Sequence, residues 1–358
     1  PALVVRPEGV AMATRKVAAT DGSGRIVLLE EPVPTPGPGE VLIEVRASVI
    51  SPGTELGGVP ARRREPNPTA PPRPFGYSNA GVVLATGPGC EGIAPGTAVA
   101  CMGGGYALHA THAVVPRNLA VPMPPGLSFE AAATNHLAAT ALHAVRRGEA
   151  RLGETWIVAG LGIVGQFCCQ LLGVAGVRVL GVDPFPRRCA IAREGGAAAA
   201  LAPDDPQLSA VAAALSDGYG MDGGIIAFGG DGTPALRLIY ERLRQAPDTH
   251  RYGRIVVVGG ARIEHPLAAA LGNVDLRSSA RPGPGYHDRA WERGADYPSA
   301  LVPWTTRRNV ELCLRWLAEG RIDAAPILTH RFPLDRVDAA CELLLTSPGE
   351  AVGVVLVP

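Results

Sequence analysis

The run Trp156-Ile-Val-Ala-Gly160-Leu-Gly162-Ile163-Val164-Gly165-Gln-Phe sets three glycines in GxGxxG spacing between an apolar strand-like segment and an apolar helix-like one. In that context the spacing has a physical meaning. Gly160 permits a tight turn, Gly162 lets backbone approach a pyrophosphate, and Gly165 lets the helix pack close to the sheet. The N–H groups around Ile163 and Val164 then open the helix and face a bound anion. The next apolar run, from Val177, ends at Asp183. An acid about 20 residues after the first glycine is placed to accept hydrogen bonds from two ribose hydroxyls. It would repel a 2′-phosphate, so NAD is expected over NADP. Arg187 and Arg188 temper this, because either guanidinium can grip a phosphate; Arg188 is kept with the cofactor-binding set. Two later strand ends, Phe228-Gly229-Gly230 and Val258-Gly259-Gly260, offer small residues at the carboxyl edge of a sheet, where such ligands lie.

The elements that must position these residues follow a clear order. From Arg25 to Val49 two β-branched runs are split by a Pro/Gly turn, and Gly81–Ala85 and Thr97–Cys101 read as further strands. Residues 57–74 hold too much Pro, Gly and charge for a regular element. After Leu127, a Ser-capped Ala/Leu-rich segment running to Arg147 predicts one helix. From Glu154 to about Ser279, strand-like and helix-like stretches alternate, the pattern of a parallel sheet covered on both faces. The tail from Thr305 reads helix, strand, helix, strand. The plan is α/β: a β lobe over residues 1–130, a doubly wound lobe inserted over 131–300, and a return to the first lobe over 301–358.

Bulk properties set the limits. A chain of 358 residues suits two lobes, and 47% hydrophobic against 18% charged residues describes a globular protein. Lys+Arg and Asp+Glu both number 33, so no broad basic field attracts nucleic acid or anionic lipid. A small-molecule partner is favoured. The first 30 residues lack a cationic segment followed by a long apolar run, and no later stretch has membrane-spanning character, so a cytoplasmic location is expected. The seven cysteines are scattered without a CxxC pair, as for reduced, buried thiols.

Taken together, the segments EPVPTPGPGEVLIEVRAS, GVVLATGPG, YALHATHAVVPRN, GLGIVGQ and PILTHRFPLDRVDAACELL resemble the medium-chain dehydrogenase/reductase family over nearly the whole chain. The segments SVISPGTE, GYSNAG, GGGYALHATH and YHDRAWERGADYPSALVPWTTRRN look like the dehydrogenase half of bacterial two-domain oxidoreductases and, more distantly, bacteriochlorophyllide dehydrogenases. The resemblance implies a GroES-like β-barrel catalytic domain around a Rossmann-type domain. It also implies that Thr140 lies against the nicotinamide and that the substrate bears a hydroxyl, as in a sugar, cyclitol or other polyol. Where zinc-dependent members carry metal ligands, this chain has Ser51, Gly76-Tyr77-Ser78 and His136. One histidine cannot replace three protein ligands, so no zinc or other metal is expected.

Without zinc, other groups must stabilise the reacting oxygen and move its proton. Tyr77 is the candidate donor and His136 the candidate shuttle, with an ordinary imidazole pKa near neutrality. Ser51, Thr54 and Glu55 follow a strand in a loop expected at the cleft, Glu55 as base or anchor and Thr54 as a substrate contact. At most one of His109 and His112 should face the cleft. Tyr286, His287 and Trp304, in a polar aromatic stretch after the last cofactor strand, suit polyol binding. Alternatives are an enoyl or quinone reductase and a catalytically silent NAD-binding protein. The edge position expected for the strand around Asp275 suggests a homodimer that pairs edge to edge.

Overall fold

The computed structural model describes residues 13–265 and 271–358. The expectation of no leader rests partly on residues 1–12, outside the described residues. In the first lobe, β1 (Thr14–Thr20) pairs antiparallel with β2 (Ile26–Pro32), and the long β3 (Glu40–Ile50) opens a second sheet. The stretch expected to be irregular contains helix α1 (Val59–Arg64) and the short β4 (Arg73–Pro74). The correction has a local cause. Pro60 sits in the first turn, where its missing N–H costs nothing, and an alanine and three arginines with good helix propensity follow. Strands β5 (Ser78–Thr86), β6 (Ala98–Met102), β7 (His112–Pro116) and β8 (Ala120–Pro122) complete the antiparallel body of the lobe.

The single helix expected after Leu127 is two: α2 (Phe129–Ala132) and α3 (Asn135–Gly148). Side chains take the carbonyls that a continuous helix would have used. Thr134 Oγ1 donates to Ala131 O at 2.6 Å, Ser78 Oγ to Ala133 O at 2.7 Å, and Asn135 Nδ2 to Ala132 O at 3.0 Å. The break turns α3 into the space between the lobes, where most of its faces are buried.

The second lobe is β9 (Thr155–Ala159), α4 (Ile163–Val174), β10 (Arg178–Val182), α5 (Pro186–Glu194), β11 (Ala199–Leu201), α6 (Leu208–Leu215), β12 (Gly223–Ile226), β13 (Gly230–Asp231), α7 (Thr233–Arg242), β14 (Tyr252–Val258), β15 (Ala261–Arg262) and β16 (Asn273–Ser279). Its parallel sheet has the order β11-β10-β9-β12-β14-β16. Every residue of β9 is buried, as both covered faces require. The order reverses between β9 and β12, and a ligand crevice lies at the carboxyl ends of strands at such a point.

The chain returns through α8 (Arg289–Glu292), α9 (Thr306–Ala318), β17 (His330–Pro333), α10 (Val337–Thr346) and β18 (Val354–Val357). Strand β18 pairs antiparallel with β3, giving the first lobe the sheet β17-β18-β3-β5-β6-β8 with β7 also on β3. The structure thus has the expected plan, a doubly wound parallel sheet inserted into a β lobe. Among the described residues no helix is long and apolar enough to cross a membrane.

Candidate active site

A cavity of about 1760 Å³ opens between the lobes, with walls from both. It exceeds the roughly 300–1,000 Å³ of an ordinary small-molecule pocket, leaving room for a dinucleotide and a second molecule. Its floor is the glycine turn. Gly160 has φ +90°, and a Cβ there would meet Phe228 Cδ1 at 2.9 Å. A Cβ on Gly165 would lie 1.8 Å from Gly160 O, so only glycine lets α4 pack on the turn. A Cβ on Gly162 would meet nothing within 4 Å, because that face is open to the cavity. Gly162 is the N-cap of α4 and offers no side chain to its first N–H groups, and Ile163 and Val164 line the cavity beside it. A ligand phosphate fits the free helix end.

At the end of β10, Asp183 is buried yet lines the cavity. Its Oδ2 accepts from Leu161 N at 2.8 Å and its Oδ1 from Phe185 N at 3.0 Å, so the acid ties the glycine turn to the adjacent loop. Arg188 also lines the cavity; its Nη1 is 3.5 Å from Asp183 Oδ2 and its Nη2 donates to Pro348 O at 2.7 Å. Arg187 points elsewhere, donating to Glu350 O at 2.6 Å. Phe228, Gly229, Val258, Gly259 and Gly260 form the opposite wall beyond the switch point. Gln166, which no sequence motif singles out, closes the loop by donating to Leu161 O at 3.0 Å and Arg188 O at 2.8 Å.

Across the cavity stand Ser51, Thr54, Tyr77, His136 and Thr140. Thr140 donates to His136 O at 2.8 Å, within α3. The His136 ring meets Tyr77 edge-on at 4.3 Å between centroids, and its Nδ1 is 3.1 Å from Tyr77 O. Burial lowers the His136 pKa to about 4, overriding that hydrogen bond, and nearby His287 lowers it further. The expectation of a near-neutral imidazole is therefore corrected: at neutral pH His136 is uncharged. A carbonyl only accepts, so Nδ1 carries the proton and Nε2 is left as an acceptor. Burial, helped by the charge of Glu55, holds the pKa of the Tyr77 hydroxyl well above the usual phenol value, and the nearby Ser51 and Thr54 side chains offset this only in part. The hydroxyl is a neutral donor throughout the physiological range.

Glu55 is not on the cavity wall. Its Oε1 lies 3.1 Å from His109 Nε2 and its Oε2 accepts from Ser51 N at 2.6 Å, so the expected base is an internal brace. His109 is fully buried, with Nδ1 2.8 Å from Ser48 Oγ, and His112 bonds Thr111; neither faces the cavity. Tyr286 and His287 do line it, with rings 3.9 Å apart, and Tyr286 is 5.6 Å edge-on from His136. The Tyr286 hydroxyl accepts from Gly104 N at 2.6 Å, which joins the lobes. Trp304 is off the cavity: Arg146 and Arg308 cover its ring with guanidinium carbons 3.4 and 4.3 Å from the centroid. A zinc ion suits this donor set poorly. Among the described residues no group of three or more His, Cys, Asp or Glu could hold a metal, and a serine, a neutral phenol and one imidazole occupy the corresponding positions.

No family model matches the chain. In an alignment spanning 373 positions, which covers 93% of this chain and 96% of the other, it is 26% identical to an uncharacterised zinc-type alcohol dehydrogenase-like protein of Escherichia coli. Over 82 residues, 23% of each protein, it is 43% identical to a D-guloside 3-dehydrogenase of Shigella flexneri. Its fold matches that of a dehydrogenase from Sinorhizobium meliloti solved with NADP bound, described as zinc-binding, with a TM-score of 0.76, 21% identity, and 97% and 100% of the two chains covered. Over nearly its whole length the chain is similar in sequence to a zinc-type alcohol dehydrogenase-like protein, and it shares its fold with a solved dehydrogenase.

Proposed function

We propose that the protein is a zinc-independent, nicotinamide-dependent oxidoreductase acting on a secondary alcohol or ketone of a sugar-, cyclitol- or polyol-like metabolite. One observation carries the reading: the glycine turn with Asp183 and the Tyr77–His136 pair line one cavity from opposite lobes. Names among its relatives, the D-guloside 3-dehydrogenase in particular, favour a polyol-like substrate.

In this reading Asp183 receives the adenosine ribose, the N-terminus of α4 the pyrophosphate, and Thr140 with the Val258–Gly260 edge the nicotinamide. The bound nicotinamide accepts or supplies the hydride. Tyr77 donates a hydrogen bond to the substrate oxygen and His136 Nε2 accepts one from its hydroxyl. An imidazole with a pKa of about 4 is a weak base toward an ordinary alcohol. As hydride leaves, the hydroxyl becomes far more acidic, so the proton moves to Nε2 only late in the reaction. The ring wall of Tyr77, His136 and Tyr286 excludes water from the reacting carbon. A polar, hydroxyl-directed wall favours alcohol chemistry over the reduction of a conjugated double bond.

The test mixes purified protein with NAD and a panel of polyols, then with NADH or NADPH and a panel of ketones and enones, following absorbance of the reduced cofactor. Turnover of a polyol or its ketone is expected. Turnover of enones alone would overturn the substrate reading, and no binding of NADH would overturn the cofactor reading.

A further inference from the structure

The guanidinium groups lining the cavity differ in one respect. Arg188 has Asp183 at 3.5 Å and Arg242 has Glu241 at 3.7 Å, while Arg237, like Arg281, forms no ion pair among the described residues. Arg281 has no ion pair among the described residues. Its single hydrogen bond, to Tyr286 O, is long at 3.5 Å. The acid behind this loop, Glu292, is buried and already accepts from His287 N at 2.8 Å and the Tyr106 hydroxyl at 3.3 Å. Arg281, His287 and Thr54 all line the cavity and are exposed there, so water, and no acid among the described residues, answers the Arg281 charge.

Backbone conformation points to the same two residues. Five described residues other than glycine have positive φ: Glu149, Asp217, Thr249, Arg281 and His287. The first three lie off the cavity, while Arg281 (φ 63°) and His287 (φ 76°) both line it, at the two ends of the loop Pro282-Gly-Pro-Gly-Tyr286. The fold holds this loop firmly. Asn309 donates to Pro282 O at 2.8 Å, Thr306 Oγ1 to Gly283 O at 2.8 Å and Thr306 N to Pro284 O at 2.7 Å. Unfavourable backbone that the surroundings over-determine marks a place where side-chain direction matters. Here it places a guanidinium and an imidazole on the cavity wall, each next to Tyr286.

We propose that Arg281 and His287 form a subsite, beside Tyr286 in the same cavity as Tyr77 and His136, for an oxyanion carried by the substrate, a carboxylate or a phosphate. This rests on the hydride-transfer reading and narrows it to acidic or phosphorylated polyols. Arg281 offers a planar pair of N–H donors and His287 has no ring hydrogen bond among the described residues, so both keep donors free for an anion.

The test has two measurements. Fluorescence titration gives the NADH affinity of wild-type protein, Arg281→Gln and Arg281→Gly; glycine adopts the observed φ freely, so that variant guards against loss of fold. Calorimetric titration of malonate and of inorganic phosphate into the NADH-loaded proteins then reads the subsite. Expected is millimolar binding of one anion, weakened about tenfold or more in both variants, with NADH affinity changed less than about threefold. Which anion binds distinguishes carboxylate from phosphate. Absence of binding to loaded wild-type protein, or a tenfold loss of NADH affinity in both variants, which would assign Arg281 to the cofactor, overturns the proposal. Should NADH fail to bind, the hydride-transfer reading falls, and the same titration of free protein decides the subsite by its dependence on Arg281.

Discussion

His136 Nδ1 lies 3.1 Å from the carbonyl oxygen of Tyr77 while the two rings meet edge-on at 76°. One residue therefore fixes both the orientation and the tautomer of the other. The bond spends the Nδ1 proton on backbone, and burial keeps the ring neutral, so the active-site imidazole presents a lone pair.

That neutrality has a pH signature. The folded pKa of about 4 lies below the unfolded value near 6.5, so the unfolded chain binds more protons between these limits. The contribution of His136 is present above pH 6.5 and lost as pH falls toward 4, amounting to at most about 3 kcal/mol. Melting temperature followed from pH 7 to pH 4 should fall less steeply for His136→Gln than for wild type. Parallel curves would show that His136 is not the buried titrating group.

Replacing Tyr77 with Phe keeps the ring contact with His136 and deletes the buried hydroxyl. Loss of one oxyanion donor predicts a drop in kcat on the order of 100-fold. NADH affinity should stay within about threefold, roughly 0.7 kcal/mol, of wild type. A kcat within about threefold of wild type would remove Tyr77 from the reaction.

Two glycines of the same turn should respond in opposite ways. Gly165→Ala drives a Cβ against Gly160 O and is expected to destabilise by about 1–3 kcal/mol. Gly162→Ala meets no atom in the structure and should melt like wild type, yet bind NADH at least tenfold more weakly, because the methyl group occupies the pyrophosphate approach. Equal NADH affinity in Gly162→Ala and wild type would falsify the placement of the phosphates.

Asp183 should make NAD bind more tightly than NADP. Solved neighbours of this fold hold NADP in one case and NADH in another. In this chain Arg188 is committed to Pro348 O and covers Phe185, with its guanidinium carbon 4.8 Å from the ring centroid. Titration of both cofactors decides the matter: NADP favoured tenfold, about 1.4 kcal/mol, would mean that Arg188 outweighs the carboxylate.

A homodimer joined along β16 is expected. The strand is an outer edge of the parallel sheet, and its charges are answered within the chain, Arg277 pairing with Asp275 at 2.9 Å and Glu149 at 3.0 Å. Pairing across a twofold axis would satisfy the free edge. Sedimentation at micromolar concentration should give about twice the 37.0 kDa of the chain, and a single species at that mass would exclude the dimer.

The glycine turn, Asp183 and the alternation of strands and helices could be read from the chain because each is a local pattern: glycine spacing, a strand end, a run of apolar residues. Tyr77, His136 and Thr140 were legible through resemblance, and the fold brings them to one wall. What the sequence could not show was direction. Glu55 and Thr54 are neighbours, yet the turn after Ser51 sends one inward to His109 and the other to the cavity. Trp304 and Tyr286 come from one aromatic stretch, yet Arg146 and Arg308 hold the first away while Gly104 receives the second. The pKa of His136 and the isolated charge of Arg281 likewise depend on neighbours distant along the chain. Burial and long-range hydrogen bonds decide where a side chain points, and these arise only when the lobes close on α3.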